Sequence, residues 1–220
     1  YTVDQNGVAV KYIQGLEVGE NPVTGTYLGD ARYKDVNGDG RIDDKDLTVI
    51  GDPNPDFTYG ISNTFTYKDF DLSLFFQGSQ GADILNYTLR STESSFNPYL
   101  NQQATVLDRY TADNIDGSLP RYNQWHNNNR RVSSRMVEDG SYFRIQNISL
   151  GYNLPRILLN RVNISNLKIY ATVQNLYTFT KYSGYDPELG SFNNNIRYMN
   201  VDDGHYPNPR TWTIGANVAF

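Results

Sequence analysis

The sequence predicts an all-β chain: the C-terminal strands of a large antiparallel transmembrane β-barrel with long extracellular loops, a fragment and not a closed barrel. Three observations carry this expectation. The last ten residues alternate strictly. Trp212, Ile214, Ala216, Val218 and Phe220 share one face, and Thr211, Thr213, Gly215, Asn217 and Ala219 share the other. That is about the length of strand that crosses a bilayer at a tilt. Residues 57–76 repeat the pattern on either side of a two-residue turn. A strand of a soluble sandwich alternates in the same way, so strands alone leave two readings open. The connections decide: very short at Lys68-Asp69, very long over 78–140, short over 155–166, long over 180–210. Outer-membrane barrels have short periplasmic turns and long outer loops; a sandwich has no reason to keep that parity. With Lys68-Asp69 periplasmic, Phe220 is periplasmic as well, and residues 35–46 lie outside the cell.

Composition narrows the function. Mean hydropathy is −0.60, and no apolar run reaches the length of a transmembrane helix. A barrel escapes that test because its apolar residues sit at alternate positions. The chain has 18 Tyr, which suit barrel strands, interfacial girdles and carbohydrate-contacting loops. A net charge of −5 without a basic patch argues against nucleic acid. There is no Cys, hence no disulfide framework or thiol chemistry. The first residue is Tyr1 and no signal peptide follows it, as expected of a piece of a longer protein.

Residues 1–56 are expected to form an extracellular loop region. Val8 to Ile13 reads as a short strand, and Asn6-Gly7 and Asn21-Pro22 as turns. Residues 35–46, DVNGDGRIDDKD, are the sharpest local motif. Asp35, Asn37 and Asp39 stand at positions 1, 3 and 5 of a calcium loop, and Gly40 at the sharp turn. Arg41 offers a backbone carbonyl, and Asp43 and Asp46 fill positions 9 and 12. Asp at position 12, shorter than Glu, is similar to dockerin-type extracellular loops and implies weaker binding. The plain alternative is an Asp/Asn/Gly turn closed by its own hydrogen bonds. A structural calcium ion fits the spacing better than a catalytic one.

Residues 57–220 are expected to supply the strands. In 57–67, Phe57, Tyr59, Ile61, Phe65 and Tyr67 share a face with Asn63; Thr58, Gly60, Ser62, Thr64 and Thr66 share the other. Phe70, Leu72, Leu74 and Phe76 return opposite Asp71 and Ser73, with Phe75 on the polar side. A polar side of small hydroxyls with few charges suits a wet lumen. Within 78–140, residues 98–110 read as a helix, since Leu100, Ala104, Leu107 and Tyr110 recur at near-helical spacing. Tyr122, Trp125, His126 and Asn127 group aromatics with amides, as a sugar-binding surface does, although a packed, solvated loop has the same composition. In 142–154, Ile148, Leu150, Tyr152 and Leu154 share a face while Phe143 and Ile145 have the opposite phase, which predicts a bulge near Gln146. Leu167, Ile169, Ala171, Val173 and Tyr177 define the next strand.

Four runs then carry a resemblance: Gly29 to Ile61 (GDARYKDVNGDGRIDDKDLTVIGDPNPDFTYGI), Asp139 to Pro155 (DGSYFRIQNISLGYNLP), Gln174 to Gly190 (QNLYTFTKYSGYDPELG) and Tyr206 to Phe220 (YPNPRTWTIGANVAF). In this order they resemble the C-terminal part of SusC-like (starch-utilisation-type) TonB-dependent receptors of the Bacteroidetes outer membrane. The resemblance implies a barrel of about 22 strands around a plug. It implies active import of oligosaccharides or peptides beneath a SusD-like surface lipoprotein, driven by TonB through a plug that this chain does not contain. It also implies contact with outer-membrane lipid and no enzyme activity. Trp212, Ile214, Val218 and Phe220 resemble the terminal signal read in barrel assembly. Five or six spanning strands are too few to close such a barrel. The rival reading is a calcium-stabilised surface glycan-binding β module without transport. A glycosidase needs a carboxylate pair across a cleft, and nothing in the spacing singles one out.

Overall fold

The structure, a computed structural model, describes residues 2–3, 9–11, 29–40, 42–93, 100–122, 128–159, 164–192 and 195–220. Among them the strands are β1 (Thr2–Val3), β2 (Ala9–Lys11), β3 (Phe57–Tyr67), β4 (Phe70–Gln80), β5 (Asp83–Asn86), β6 (Val137–Asp139), β7 (Tyr142–Asn153), β8 (Asn166–Thr180), β9 (Val201–Asp202) and β10 (Thr211–Ala219). Two one-turn helices are α1 (Leu89–Thr92) and α2 (Arg156–Leu159). The chain divides into two compact units. One takes Asp52–Ile84, Glu138–Val201 and His205–Phe220; the other takes Tyr1–Gly51, Leu85–Val137 and Asp202–Gly204.

The first unit is a wall of five antiparallel strands in the order β10-β8-β7-β4-β3. β3 and β4 pair without a break from Phe57↔Gln80 to Tyr67↔Phe70. Lys68 takes φ 52° in the connecting turn, the left-handed conformation that two-residue hairpin loops demand. Following the register across the wall places one set of side chains on a single face. It holds Ile61 and Phe65 of β3, Leu72 and Leu74 of β4, Ile145, Ile148 and Leu150 of β7, Ile169 and Val173 of β8, and Trp212 and Ile214 of β10. β7 joins this face with both of its phases. Against β4 the register shifts between Phe75 and Phe76, and Gln146 is the extra residue of a bulge on β7. Against β8 it shifts between Ile145 and Asn147, and there the extra residue lies on β8, where Asn175 takes φ 53°. The bulge at Gln146 lets Phe143 and Ile145 face the same way as Ile148 and Leu150.

That face is apolar and bare: Phe65 is 57% exposed, Trp212 69% and Ile214 84%. Its two ends carry aromatic rows. Tyr59, Phe76, Phe143 and Phe179 run across four strands, with Phe143 6.4, 5.7 and 6.0 Å from the other three rings. At the hairpin end Phe70 and Tyr152 meet at 4.5 Å beside Tyr67. The step from Tyr59 to Tyr67 on β3 spans about 26 Å of strand, or about 20 Å of height at a tilt of about 40°.

The opposite face carries Thr58, Ser62, Thr64 and Thr66 of β3, Ser73 and Gln77 of β4, Ser149 of β7, Thr172 and Thr178 of β8, and Thr213 of β10. It is less purely hydroxylic than the sequence predicts. Asp71, Arg144 and Lys168 also stand on it, because the ladder brings opposite charges within reach. The segment after β8 folds onto the wall unit through Tyr182 and Leu189, which bury with Ile84 in a small core.

In the second unit the expected helix over 98–110 is not formed in the residues described, 100–110. Only a 3-10 turn at Ala104–Asp108 appears, with no side-chain cap at Gln103. Leu100 and Leu107 of the predicted stripe are 50% and 82% exposed, and Val106, off that stripe, is the residue that buries. One uncapped turn containing β-branched Thr105 and Val106 has too little propensity and too few hydrogen bonds to propagate. The expected strand over 8–13 is described as β2, paired with β1; residues 8, 12 and 13 lie outside the described residues.

Candidate functional site

Residues 35–46 close on themselves. Asp35 accepts from the amides of Gly38 (2.6 Å) and Gly40 (2.8 Å) through its two carboxylate oxygens. Asn37 Oδ1 accepts from the Asp39 amide at 2.8 Å. Asp46 accepts from Val36 N at 2.8 Å and from Asp43 N at 2.8 Å. Asp43 in turn accepts from Lys45 N at 2.8 Å, capping a 3-10 turn at Asp44–Asp46. Gly40 has φ +82°, and a side chain there would meet open space. The conformation, not crowding, therefore selects glycine at position 6. The amides of Asp43 and Val36 hold the Asp46 carboxyl below the usual carboxylate range. Among the described residues no three carboxylates or histidines come close enough together to hold a metal ion; Arg41 lies outside them. Tyr122 is exposed (41%), while Trp125, His126 and Asn127 lie outside the described residues. Trp212, Ile214 and Val218 point to the bare apolar face, and Phe220 follows the end of β10.

The richest chemistry is on the polar face of the wall, in residues the sequence pattern did not single out. Arg144 of β7 is 1% exposed. Its guanidinium bridges Asp186, and Glu188 at 2.5 Å, both from the segment after β8. Its Nε donates to Thr178 Oγ1 at 2.9 Å. Gln77 Nε2 of β4 donates to Glu188 at 3.2 Å. Asn208 closes the cluster, its amide N donating to Asp186 at 3.1 Å and its Nδ2 to Glu188 at 3.3 Å. Strands β4, β7 and β8 and the stretch leading into β10 are thus tied to one buried guanidinium, whose fork suits two carboxylates. Nearer the hairpin end, Lys168 Nζ of β8 reaches Asp71 of β4 at 2.9 Å across β7. The strand between them contributes Gly151 there; a Cβ on it would sit 2.5 Å from Lys168 Cε and 2.6 Å from Asp71 Oδ2. A charge on the polar phase of a strand was the available signal for Arg144, Asp71 and Lys168. The identity of their partners was not readable from spacing.

No protein-family model matches the chain. Known proteins do. TonB-dependent receptor P3 of Formosa agariphila is 41% identical over 206 residues, which is 90% of this chain and 20% of the receptor. TonB-dependent receptor SusC of Bacteroides thetaiotaomicron is 25% identical over 189 residues, 86% of this chain and 17% of SusC. Among solved structures, the RagAB peptide importer in its "closed-closed" state matches with a TM-score of 0.67 and 28% identity, over 78% of this chain and 18% of the matched chain. The chain spans about a fifth of the length of the curated relatives it matches.

Proposed function

We propose, from the premise that this chain belongs to the SusC-like TonB-dependent receptors and forms part of their outer-membrane barrel wall, that it serves active import of oligosaccharides or peptides. In this reading the apolar face meets lipid. The polar face, with the Arg144 cluster, lines the path of the ligand. A SusD-like surface lipoprotein covers the outer end, and TonB supplies the energy. No residue acts as a catalyst; transport is binding coupled to a change of state, driven by differential affinity. Trp212, Ile214, Val218 and Phe220 present the strand that the assembly machinery engages. Calcium at Asp35, Asn37, Asp39, Arg41, Asp43 and Asp46 is a separate proposal, resting on donor spacing and on the glycine conformation at position 6.

The observation that carries the import reading is the pair of faces on one continuous sheet. A free-standing glycan-binding module would leave Phe57, Ile61, Phe65, Leu150, Trp212 and Ile214 in water as one contiguous patch, which soluble monomers rarely tolerate. The test uses the full-length receptor in outer membranes, with single cysteines at Ile61 or Leu150 and at Thr64 or Ser149. A water-soluble maleimide is expected to label the second pair and not the first. Equal labelling of both pairs would overturn the wall. Loss of uptake of an oligosaccharide or peptide on deletion of the receptor, and again on deletion of TonB, tests import itself.

A further inference from the structure

We propose that a cavity of about 500 Å³ in the second unit binds an anionic oligosaccharide, one bearing carboxylate or sulfate groups. The proposal rests on the import reading only for the ligand's arrival at the cell surface. The cavity is lined from three segments, residues 29–34, 110–120 and 133–135. Its first wall is fixed by a buried polar knot. The Asp30 side chain is fully buried and accepts from Arg121 Nε at 2.7 Å and Asn129 Nδ2 at 3.0 Å. Asn129 Oδ1 accepts from Ala31 N at 2.7 Å, and Arg121 N donates to Gly29 O at 2.7 Å. Four short contacts thus hold residues 29–31, and the two cations that follow, Arg32 and Lys34, are exposed beside the opening. The far wall brings Ser118, Ser133 and Arg135, and Tyr110 supplies an aromatic ring.

Among the described residues the lining carries three cations, Arg32, Lys34 and Arg135, against one carboxylate, Asp30, which is bridged to Arg121. With Arg135 paired to Glu93, Arg32 and Lys34 supply the excess positive charge. Arg135 also holds Glu93 at 2.8 Å, which fixes its guanidinium in place. A further guanidinium, that of Arg131, lies 5.9 Å over the ring of Tyr33. This is a cationic hollow in a chain of net charge −5. Guanidinium and ammonium groups bind carboxylate and sulfate by charge-assisted hydrogen bonds, serine hydroxyls match sugar hydroxyls, and the volume falls within the range of small-ligand sites. An acidic peptide is the less favoured occupant. Peptides are commonly gripped by pairing with a strand edge, and none of the three lining segments belongs to a named strand.

This chain has no cysteine, so in a full-length receptor with any cysteine elsewhere replaced by serine, Ser134→Cys at the cavity rim gives a single reporter. With each rate taken relative to that of the same reagent with a free thiol in solution, an anionic methanethiosulfonate is expected to modify it at least about tenfold faster than a cationic one, the scale at which a charged cleft concentrates counter-ions. The double variant R32Q/K34Q, combined with the reporter, is expected to bring the two rates close together. Trigalacturonate or a sulfated galactose trisaccharide is expected to slow the modification, and whichever does so identifies carboxylate or sulfate as the group bound. Carboxyl-reduced trigalacturonate and triglutamate are expected not to. A reporter thiol that does not react, equal rates for the two reagents, protection by the neutral sugar as strong as by the charged ones, no protection by any sugar, or protection by triglutamate alone would each overturn the proposal. The import reading is tested separately by the maleimide pattern on the wall, so the two fail independently.

Discussion

Two clusters of carboxylates organise this chain, and they are built in opposite ways. In residues 35–46, Asp35, Asn37, Asp43 and Asp46 take backbone amides from within the same loop, and the side chains are mostly exposed. On the polar face of the wall, Asp186 and Glu188 converge on Arg144, 42 and 44 residues away in sequence, and the guanidinium is buried. Each hydrogen bond of the loop competes with water that would replace it, so its loss is cheap. Removing the guanidinium strands buried negative charge that water cannot easily reach. The cluster read as a local metal-type motif therefore contributes little to the fold, and the cluster whose members Arg144, Asp186, Glu188 and Asn208 are scattered over three separate runs of the sequence fastens it.

The largest expected effect is on Arg144. Arg144→Met in the full-length receptor leaves Asp186, 7% exposed, without its counter-ion, a loss of about 3–5 kcal/mol for a broken buried pair. The expected outcome is release of residues 181–192 from the wall, read as new protease cleavage there in intact cells while the wall strands stay protected. Arg144→Lys should fall between the two, because an ammonium cannot fork to both carboxylates. Asp186→Asn should cost more than Glu188→Gln, since Glu188 is 41% exposed and water screens its pairing. Cleavage unchanged in Arg144→Met would remove the distinction between the two clusters.

A smaller effect separates close approach from charge within the wall itself. The Lys168–Asp71 pair is part-exposed on both sides (32% and 24%), so its worth is about 1 kcal/mol or less. Gly151→Val fills the gap the pair spans and displaces the flexible ends of both side chains. The expected outcome is a small fall in the temperature at which the receptor loses its folded mobility on a gel, with normal amounts in the outer membrane. A fall as large as that of Arg144→Met would mean the backbone at β7 needs glycine for a reason other than this pair.

These two sites also mark what was legible in the sequence. The five wall strands, the hairpin turn and the bulge at Gln146 follow from period two and from its interruption, because each side chain's face is fixed by its immediate neighbours in the chain. The short β5, β6 and β9, inside the stretches expected as loops, do not. The same rule puts Asp71 on the polar face and leaves Gly151 and Lys168 opposite their apolar neighbours, whereas Arg144 falls there only because the bulge resets the phase. The rule could not say which polar residue meets which, since that depends on register across three strands and on a segment that folds back. Over the described residues 100–110 the expected helix is absent for the complementary reason: near-helical spacing over so short a stretch does not outweigh the missing side-chain cap at Gln103 and the burial of Val106 instead of Leu107.

The smallest effect belongs to the loop, and it carries a sign. The Asp46 carboxyl is held below the usual carboxylate range, first by the Asp43 amide and then by Val36. A depressed carboxyl stabilises the closed loop at pH above its unfolded value, about 3.9, and that contribution is lost as pH falls through the lowered one. The loop should thus resist proteolysis equally at pH 7 and pH 5 and open only below about pH 4, where an acid-active protease reads the change. If calcium binds, its addition at pH 7 should slow cleavage further in the native loop. It should not do so in Asp35→Asn/Asp39→Asn, because calcium draws on the charge that these substitutions remove. Equal rates with and without calcium in the native loop would leave residues 35–46 a turn closed by its own hydrogen bonds. The contrast with Arg144 would then be complete, one cluster needing its cation and the other needing none.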